Sequence, residues 1–212
     1  MTGQADARRH GWERRTGWPL TAAALIFLAV YAWPILQPGL NNDLKRLLTA
    51  LGAGIWALFV LDYVTRFALA SDRRRFVSRH LFDLAVIALP MIRPLRALRV
   101  LTILGFLNRR SGTAFRGRVI AYVIAATGMV VFIAALAGLD AERGRRGANI
   151  ETFPDALWWA VSTITTVGYG DRYPTTGTGR LVGVGLMLAG IALLGVVTAS
   201  LASWFLERIE QV

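Results

Sequence analysis

Thr165-Thr166-Val167-Gly168-Tyr169-Gly170-Asp171 decides how this chain is read. The heptad closes an apolar run, Ala156 to Gly170, of 15 residues. A helix rising 1.5 Å per residue needs about 20 residues to cross a hydrocarbon core. A short apolar run that ends in glycines therefore reads as a re-entrant segment, which membranes tolerate only where the backbone is buried in protein or lines a cavity. Gly168 and Gly170 admit a positive φ without steric cost. If left- and right-handed residues alternate there, successive carbonyls point the same way and offer oxygens at the spacing of a potassium ion's hydration shell. One chain supplies one oxygen per level, so a closed ring requires three further identical subunits, a homotetramer. Thr152 as N-cap and Asp155 three residues on form a capping-box start for the helix that leads into the heptad. Its C-terminal end, near Thr165, aims about half a negative charge toward the cavity and favours a cation there.

Working outward, the chain has the composition of a membrane protein. Of its 212 residues 55% are hydrophobic and 17% charged, below the roughly 25% charged of ordinary soluble domains. The net charge of +11 suggests nucleic acid at first sight, but a soluble nucleic-acid binder does not leave so much sequence uncharged and apolar. There is no cysteine, which excludes disulfides and thiolate chemistry. His10 and His80 each follow an arginine and leave little for a zinc site or a histidine-based triad. No constellation supports an enzyme, and no cofactor is expected beyond a permeant ion.

Three runs lack any charge: Thr16 to Asn42, Val119 to Leu139 and Leu181 to Leu206. Each is long enough to span. Leu47 to Ala70, interrupted by Asp62 and Arg66, is a fourth span, and Leu81 to Ile92, carrying Asp83, a fifth. A further helix from about Pro94 to Asn108 continues a stretch in which Arg93, Arg96 and Arg99 recur every third residue. The sequence thus predicts six spans and the re-entrant segment. Arginines crowd the ends of these runs on one side (Arg8, Arg9, Arg14 and Arg15; Arg73, Arg74 and Arg75; Arg109, Arg110, Arg116 and Arg118), which places both termini in the cytoplasm and the protein in the plasma membrane. With six residues after Leu206, no soluble regulatory domain is expected to follow.

From about Ala141 to Glu207 the chain resembles the pore of KcsA-type bacterial potassium channels, through AERG, ALWW, TTVGYGD, the YP after it, GRLVGV, MLAGI and VTASLASWF. A TVGYG loop is also the standard description of a potassium filter. The resemblance implies that the carbonyls of Thr166, Val167, Gly168 and Tyr169, with the Thr166 hydroxyl, coordinate potassium. Trp158 and Trp159 match an aromatic cuff that braces Tyr169 and, through an indole N–H, Asp171. Gly170 completes the loop. Ser162 stands where such pores carry a glutamate, which removes a carboxyl partner for Asp171. Gly190 matches a glycine at which the last helix is thought to bend; close packing of a small residue is an equal alternative. Thr198, Ala202 and Leu206 recur every four residues and match the face that closes the pore at its cytoplasmic end.

The six-helix plan resembles voltage-gated potassium channels. Each of Arg93, Arg96 and Arg99 costs about 2.5–3.5 kcal/mol if buried in the bilayer without a partner, so acids are expected in the same bundle. Asp62 and Asp83 are the intramembrane acids of this half. Phe59, Asp62, Arg66 and Phe67 fit the F-x-x-[ED]-x-x-x-R-F pattern of a sensor's second helix, with Phe59 as the aromatic plug. Asp83 and Pro90 resemble the D…P of its third helix, one residue further apart than the pattern. Thr102 and Gly105 stand where further basic residues are usual. An amphipathic helix lying in the interface is the alternative reading of the arginine stripe.

The sequence reading is an all-α membrane protein: a four-helix voltage-sensor domain over 18–108 and a two-helix pore domain over 118–207 containing the re-entrant helix and filter. A cytoplasmic N-terminus covers 1–17, a linker 109–117 and a cytoplasmic C-terminus 208–212. Partners are membrane lipid and three copies of the chain, with no nucleic acid. The expected function is a voltage-gated, potassium-selective channel. A potassium channel whose vestigial sensor yields to pH or lipid is the second reading, and a non-conducting modifier subunit the third.

Overall fold

The computed structural model describes residues 19–20, 22–70 and 115–209, and every regular element among them is helical. The chain divides into two compact units, Met1–Leu107 and Asn108–Val212. The expected third and fourth helices, with Asp83, Arg93, Arg96 and Arg99, lie outside the described residues.

In the first unit, α1 (Ala22–Leu36) stops well short of the end of its uncharged run. Pro38 disfavours helical backbone at Gln37, and Pro38-Gly39 makes the turn. The turn is fastened by its flanks: the Trp33 indole donates to the Gln37 side chain at 3.1 Å and the Lys45 ammonium to the Pro38 carbonyl at 2.8 Å. Asn41 then caps α2 (Asn42–Ala68) by accepting from the Asp43 N–H at 3.3 Å. Asp43 sits in the first turn and Arg66 in the last, each on the side that complements the helix dipole. The buried face of α2 carries Phe59 and, one turn on, Asp62 and Tyr63. Phe27 of α1 meets Phe59 edge-on, with centroids 6.5 Å apart, and α1 rests over Gly52.

In the second unit, α3 (Phe115–Glu142) starts inside the expected linker, so Gly117 is helical. Its small residues Ala134, Ala135 and Ala137 are buried with Leu136 and Leu139, which lets α4 (Phe153–Ile164) lie close. Trp159 of α4 fills the space between Gly138 of α3 and Gly183 of α5 (Gly177–Ile209). A Cβ at Gly138 would stand 2.6 Å from the indole ring, and one at Gly183 3.6 Å. Only glycine at 138 admits the tryptophan, whose removal to alanine would cost about 3–5 kcal/mol.

Glu142, fully buried at the end of α3, fixes the start of α5. Its carboxylate accepts from the N–H groups of Thr175 and Thr176, both at 2.9 Å, and from both hydroxyls, at 2.5 and 2.7 Å. Thr176 in turn caps α5 by accepting from the Gly179 N–H at 3.0 Å. Among the described residues three helices, Asn42–Ala68, Val123–Glu142 and Gly177–Leu206, are long and apolar enough to cross a membrane. Along α5, Leu181, Val184, Leu188, Ile191 and Leu201 are more than half exposed on a single chain. Surface this apolar requires lipid or protein against it.

Candidate functional site

The site is built on a short helix that stops abruptly. The capping box at the start of α4 is closed in both directions: Asp155 N–H donates to the Thr152 hydroxyl at 3.3 Å, and Thr152 N–H to the Asp155 carboxylate at 3.2 Å. Pro154 in the first turn occupies a position whose N–H would have no partner in the helix. The Thr152 hydroxyl, then its backbone N–H and the Arg172 charge, hold the Asp155 carboxyl below the usual carboxylate range despite partial burial. At the other end Thr165 caps α4 in helical conformation, its N–H bonded to the Val161 carbonyl at 3.1 Å.

Beyond Thr165 the backbone changes character. Thr166 has φ +62°, Gly168 +56° and Gly170 +80°, so every second residue is left-handed. The alternation expected at the two glycines thus begins one step earlier, at a β-branched residue. Thr166 is the only non-glycine with positive φ among the described residues. Such a conformation costs about 1–3 kcal/mol and persists only where its surroundings over-determine it. Extending the period of two back from Gly168 lands on Thr166, which was the available signal. One support is the Gly168 N–H, which donates to the Ser162 carbonyl at 3.0 Å. The other side of the heptad is open on a single chain, with Val167 and Tyr169 exposed.

The two tryptophans part company. Trp158 stacks on Tyr169, with centroids 5.3 Å apart and planes within 8°, and its indole N–H donates to the Asp171 carboxylate at 2.8 Å. Within one chain Trp159 takes no part in this cuff; it is buried between α3 and α5, as the glycines at 138 and 183 require. The Ser162 hydroxyl turns away to the Trp159 carbonyl at 3.0 Å, so no side chain from behind the heptad reaches Asp171 at that position. Gly190, for which bending and packing were equal readings, lies against the end of α4. A Cβ there would collide with the Ile164 carbonyl oxygen and stand 3.1 Å from its carbon. Close approach alone requires the glycine. Thr198, Ala202 and Leu206 are exposed along α5.

Sequence reasoning missed the outer loop. The Asn149 amide donates to the Asp171 carbonyl at 3.2 Å, and its oxygen accepts from the Tyr173 N–H at 3.1 Å. Arg172 reaches back, one guanidinium nitrogen donating to the Asn149 carbonyl and the other pairing with Asp155 at 3.0 Å. Glu142 was equally unassigned, although an acid pair, Asp140 and Glu142, just past a long apolar run, with a Thr-Thr-Gly helix start downstream, was a visible cue.

In the first unit Phe59 and Asp62 are both buried. Arg66 holds Asp62 from one turn away, its Nε lying 3.1 and 3.0 Å from the two carboxylate oxygens.

Residues 142–207 match the family model described as ion channel. The chain is 29% identical over 216 residues to a cyclic nucleotide-gated potassium channel of Rhizobium etli, a match covering 91% of this chain and 59% of that one. It is 37% identical over 84 residues to a voltage-gated potassium channel of Aeropyrum pernix, covering 40% of this chain and 28% of that one. A calcium-gated potassium channel of Thermoplasma volcanium is 36% identical over 84 residues, covering 39% and 24%. The chain thus spans about three fifths of the length of the first of these relatives. These similarities agree with a bacterial potassium channel carrying a KcsA-like pore, and the relatives are channels rather than enzymes.

Proposed function

We propose that this chain forms a homotetrameric, potassium-selective channel that conducts passively across the plasma membrane. One observation carries the reading: the left-handed residues at 166, 168 and 170 follow a short capped helix. That alternation is what a ladder of carbonyls facing one axis needs. Thr166, Val167, Gly168 and Tyr169 supply the carbonyl oxygens and Thr166 its hydroxyl. Four chains close the rings. The C-terminal end of α4 turns its partial negative charge toward the cavity that feeds them. The exposed apolar flanks of α5 meet neighbouring subunits and lipid, and Thr198, Ala202 and Leu206 face the axis toward the cytoplasm. Both termini are cytoplasmic, with six spans between them.

Voltage gating is the reading for the first half, with Arg93, Arg96 and Arg99 moving past Asp62, Asp83 and the Phe59 plug. The second reading keeps the pore and gives the first half a vestigial sensor, the gate yielding to pH or lipid. Two observations favour keeping it in play. Asp62 already has Arg66 on its own helix. The voltage-gated relative of Aeropyrum pernix matches over 84 residues, whereas a relative matching nearly the whole chain carries a cyclic nucleotide-gated name.

Planar-bilayer recording of the purified protein under opposed potassium and sodium gradients tests the pore. A reversal potential near the potassium equilibrium value is expected, and one that follows sodium equally overturns the reading. Voltage steps on the same membranes separate the two sensor readings.

A further inference from the structure

The left-handed backbone of the proposed filter must be over-determined by its surroundings, yet little holds it from behind. Ser162 contributes a single carbonyl to the Gly168 N–H, and its hydroxyl points to Trp159. The stretch beyond the filter is held instead from the opposite direction. The Asn149 side-chain amide grips the backbone at two positions, accepting from the Tyr173 N–H and donating to the Asp171 carbonyl. The residue between them, Arg172, returns the contact, donating to the Asn149 carbonyl and pairing with Asp155. Asp155 is fixed in turn by the capping box. Loop, filter exit and helix start therefore form one closed circuit, joining residues 17 to 24 positions apart.

We infer that Asn149 and Arg172 are positioning residues that clamp the filter exit from the outer loop, in the place of a carboxyl pair behind the filter. The inference rests on the proposed channel reading. A side-chain amide bridging the C=O and N–H of residues two apart imitates one rung of a β-ladder, so it fixes backbone rather than a side chain. Because Asp171 also receives the Trp158 indole, the clamp and the aromatic stack on Tyr169 converge on one residue. Loosening the clamp frees the exit end of the carbonyl ladder first.

The test uses the full-length protein in liposomes, with Asn149→Ala and Arg172→Gln, and Arg172→Lys as the conservative variant. Hydrogen exchange followed by mass spectrometry reads the backbone of residues 166–176 separately from α4. The clamp predicts exchange about tenfold faster over 166–176 in both disrupting variants, the scale of one to two lost hydrogen bonds, with α4 unchanged and Arg172→Lys near the parent. Potassium currents of the same variants should decay faster under sustained activation, and raised external potassium should slow that decay. Exchange at parent level in Asn149→Ala and Arg172→Gln overturns the clamp. A parent that passes no potassium current overturns the channel reading instead, and the exchange arm still decides the clamp. Should Asn149→Ala fail to assemble, Asn149→Asp, which keeps the acceptor for Tyr173 but sets a charged oxygen where the donor to Asp171 stood, reads the same exchange window.

Discussion

In α2, buried Asp62 finds Arg66 one turn along its own helix, at 3.0 Å. At the end of α3, buried Glu142 finds Thr175 and Thr176, 33 and 34 residues along the chain, with four donors. The first arrangement ties a helix to itself. An i,i+4 ion pair stabilises by about 0.3–0.5 kcal/mol when exposed; with Asp62 buried, losing its cation costs more, but the contact joins no second helix. The second arrangement ties the end of one helix to the beginning of another, and leaves four donors stranded if it is lost. The same residue chemistry thus serves a contact within one helix in one unit and a joint between helices in the other. The proposed moving sensor and rigid pore would need that division.

The sharpest way to break the comparison is at the joint. Glu142→Ala should destabilise the second unit by about 3–5 kcal/mol, because four part-buried donors lose their acceptor at once. Glu142→Gln, which keeps the shape but brings its own donors, should fall between. Thermal unfolding of the purified protein, followed by tryptophan fluorescence, reads both. A loss no larger than that of the Asp62–Arg66 pair would erase the distinction.

Gly190→Ala comes next. Its Cβ would meet the Ile164 backbone, which cannot rotate away, so overpacking should cost about 1–3 kcal/mol. Melting that stays at the parent value, with altered opening alone, would restore the hinge reading. Gly168→Ala should cost about 1–2 kcal/mol through its left-handed φ, yet abolish selective conduction while the tetramer still assembles. A selective Gly168→Ala channel would sink the alternating-ladder argument.

What the sequence told in advance follows the same division between local and distant contacts. The capping box at Thr152, the short α4 and the left-handed glycines are near-neighbour chemistry, and their spacing announced them; the indole bond to Asp171 came with the resemblance, which left open which tryptophan makes it. An adjacent aromatic pair does not say which ring faces its own loop; within one chain the glycines at 138 and 183, 21 and 24 residues off, draw Trp159 between α3 and α5. Asn149 and Arg172 were missed for a similar reason. Their partners lie across a loop, and neither residue type is diagnostic by itself. The run ending at Asn42 was read past its true helix because absence of charge outweighed Pro38-Gly39.

A smaller effect sits at the capping box. The Asp155 carboxyl lies below its ordinary value of 3.8 in the folded protein. Its contribution is therefore complete above pH 3.8 and is lost as the pH falls through the lower folded value. Unfolding temperatures of parent and Asp155→Asn should converge as pH drops below that range and separate above it. Parallel curves across the range would show that Asp155 does not anchor the box through its charge.

The last expected effect is the most informative for the first unit. Arg66→Gln removes the partner that Asp62 has on its own helix. If Asp62 also serves the proposed moving arginines, losing Arg66 strengthens its pull on them. The conductance–voltage curve should then shift along the voltage axis while its slope stays fixed, because no gating charge has been removed. Stability should fall by more than an exposed one-turn pair is worth, because Asp62 is buried, yet by less than in Glu142→Ala. Arg96→Gln and Arg99→Gln should do the opposite, flattening the slope, since each charge crossing 100 mV carries about 2.3 kcal/mol. With three arginines in each of four subunits, that ceiling is roughly 28 kcal/mol per 100 mV, and a limiting slope above it would place the gating charge elsewhere. Arg66→Gln unfolding as severely as Glu142→Ala would mean that the α2 pair is a joint after all. A slope unchanged in the Arg96→Gln, Arg99→Gln double variant, alongside intact potassium current, would leave the pore reading standing and make the vestigial sensor the better account of the first half.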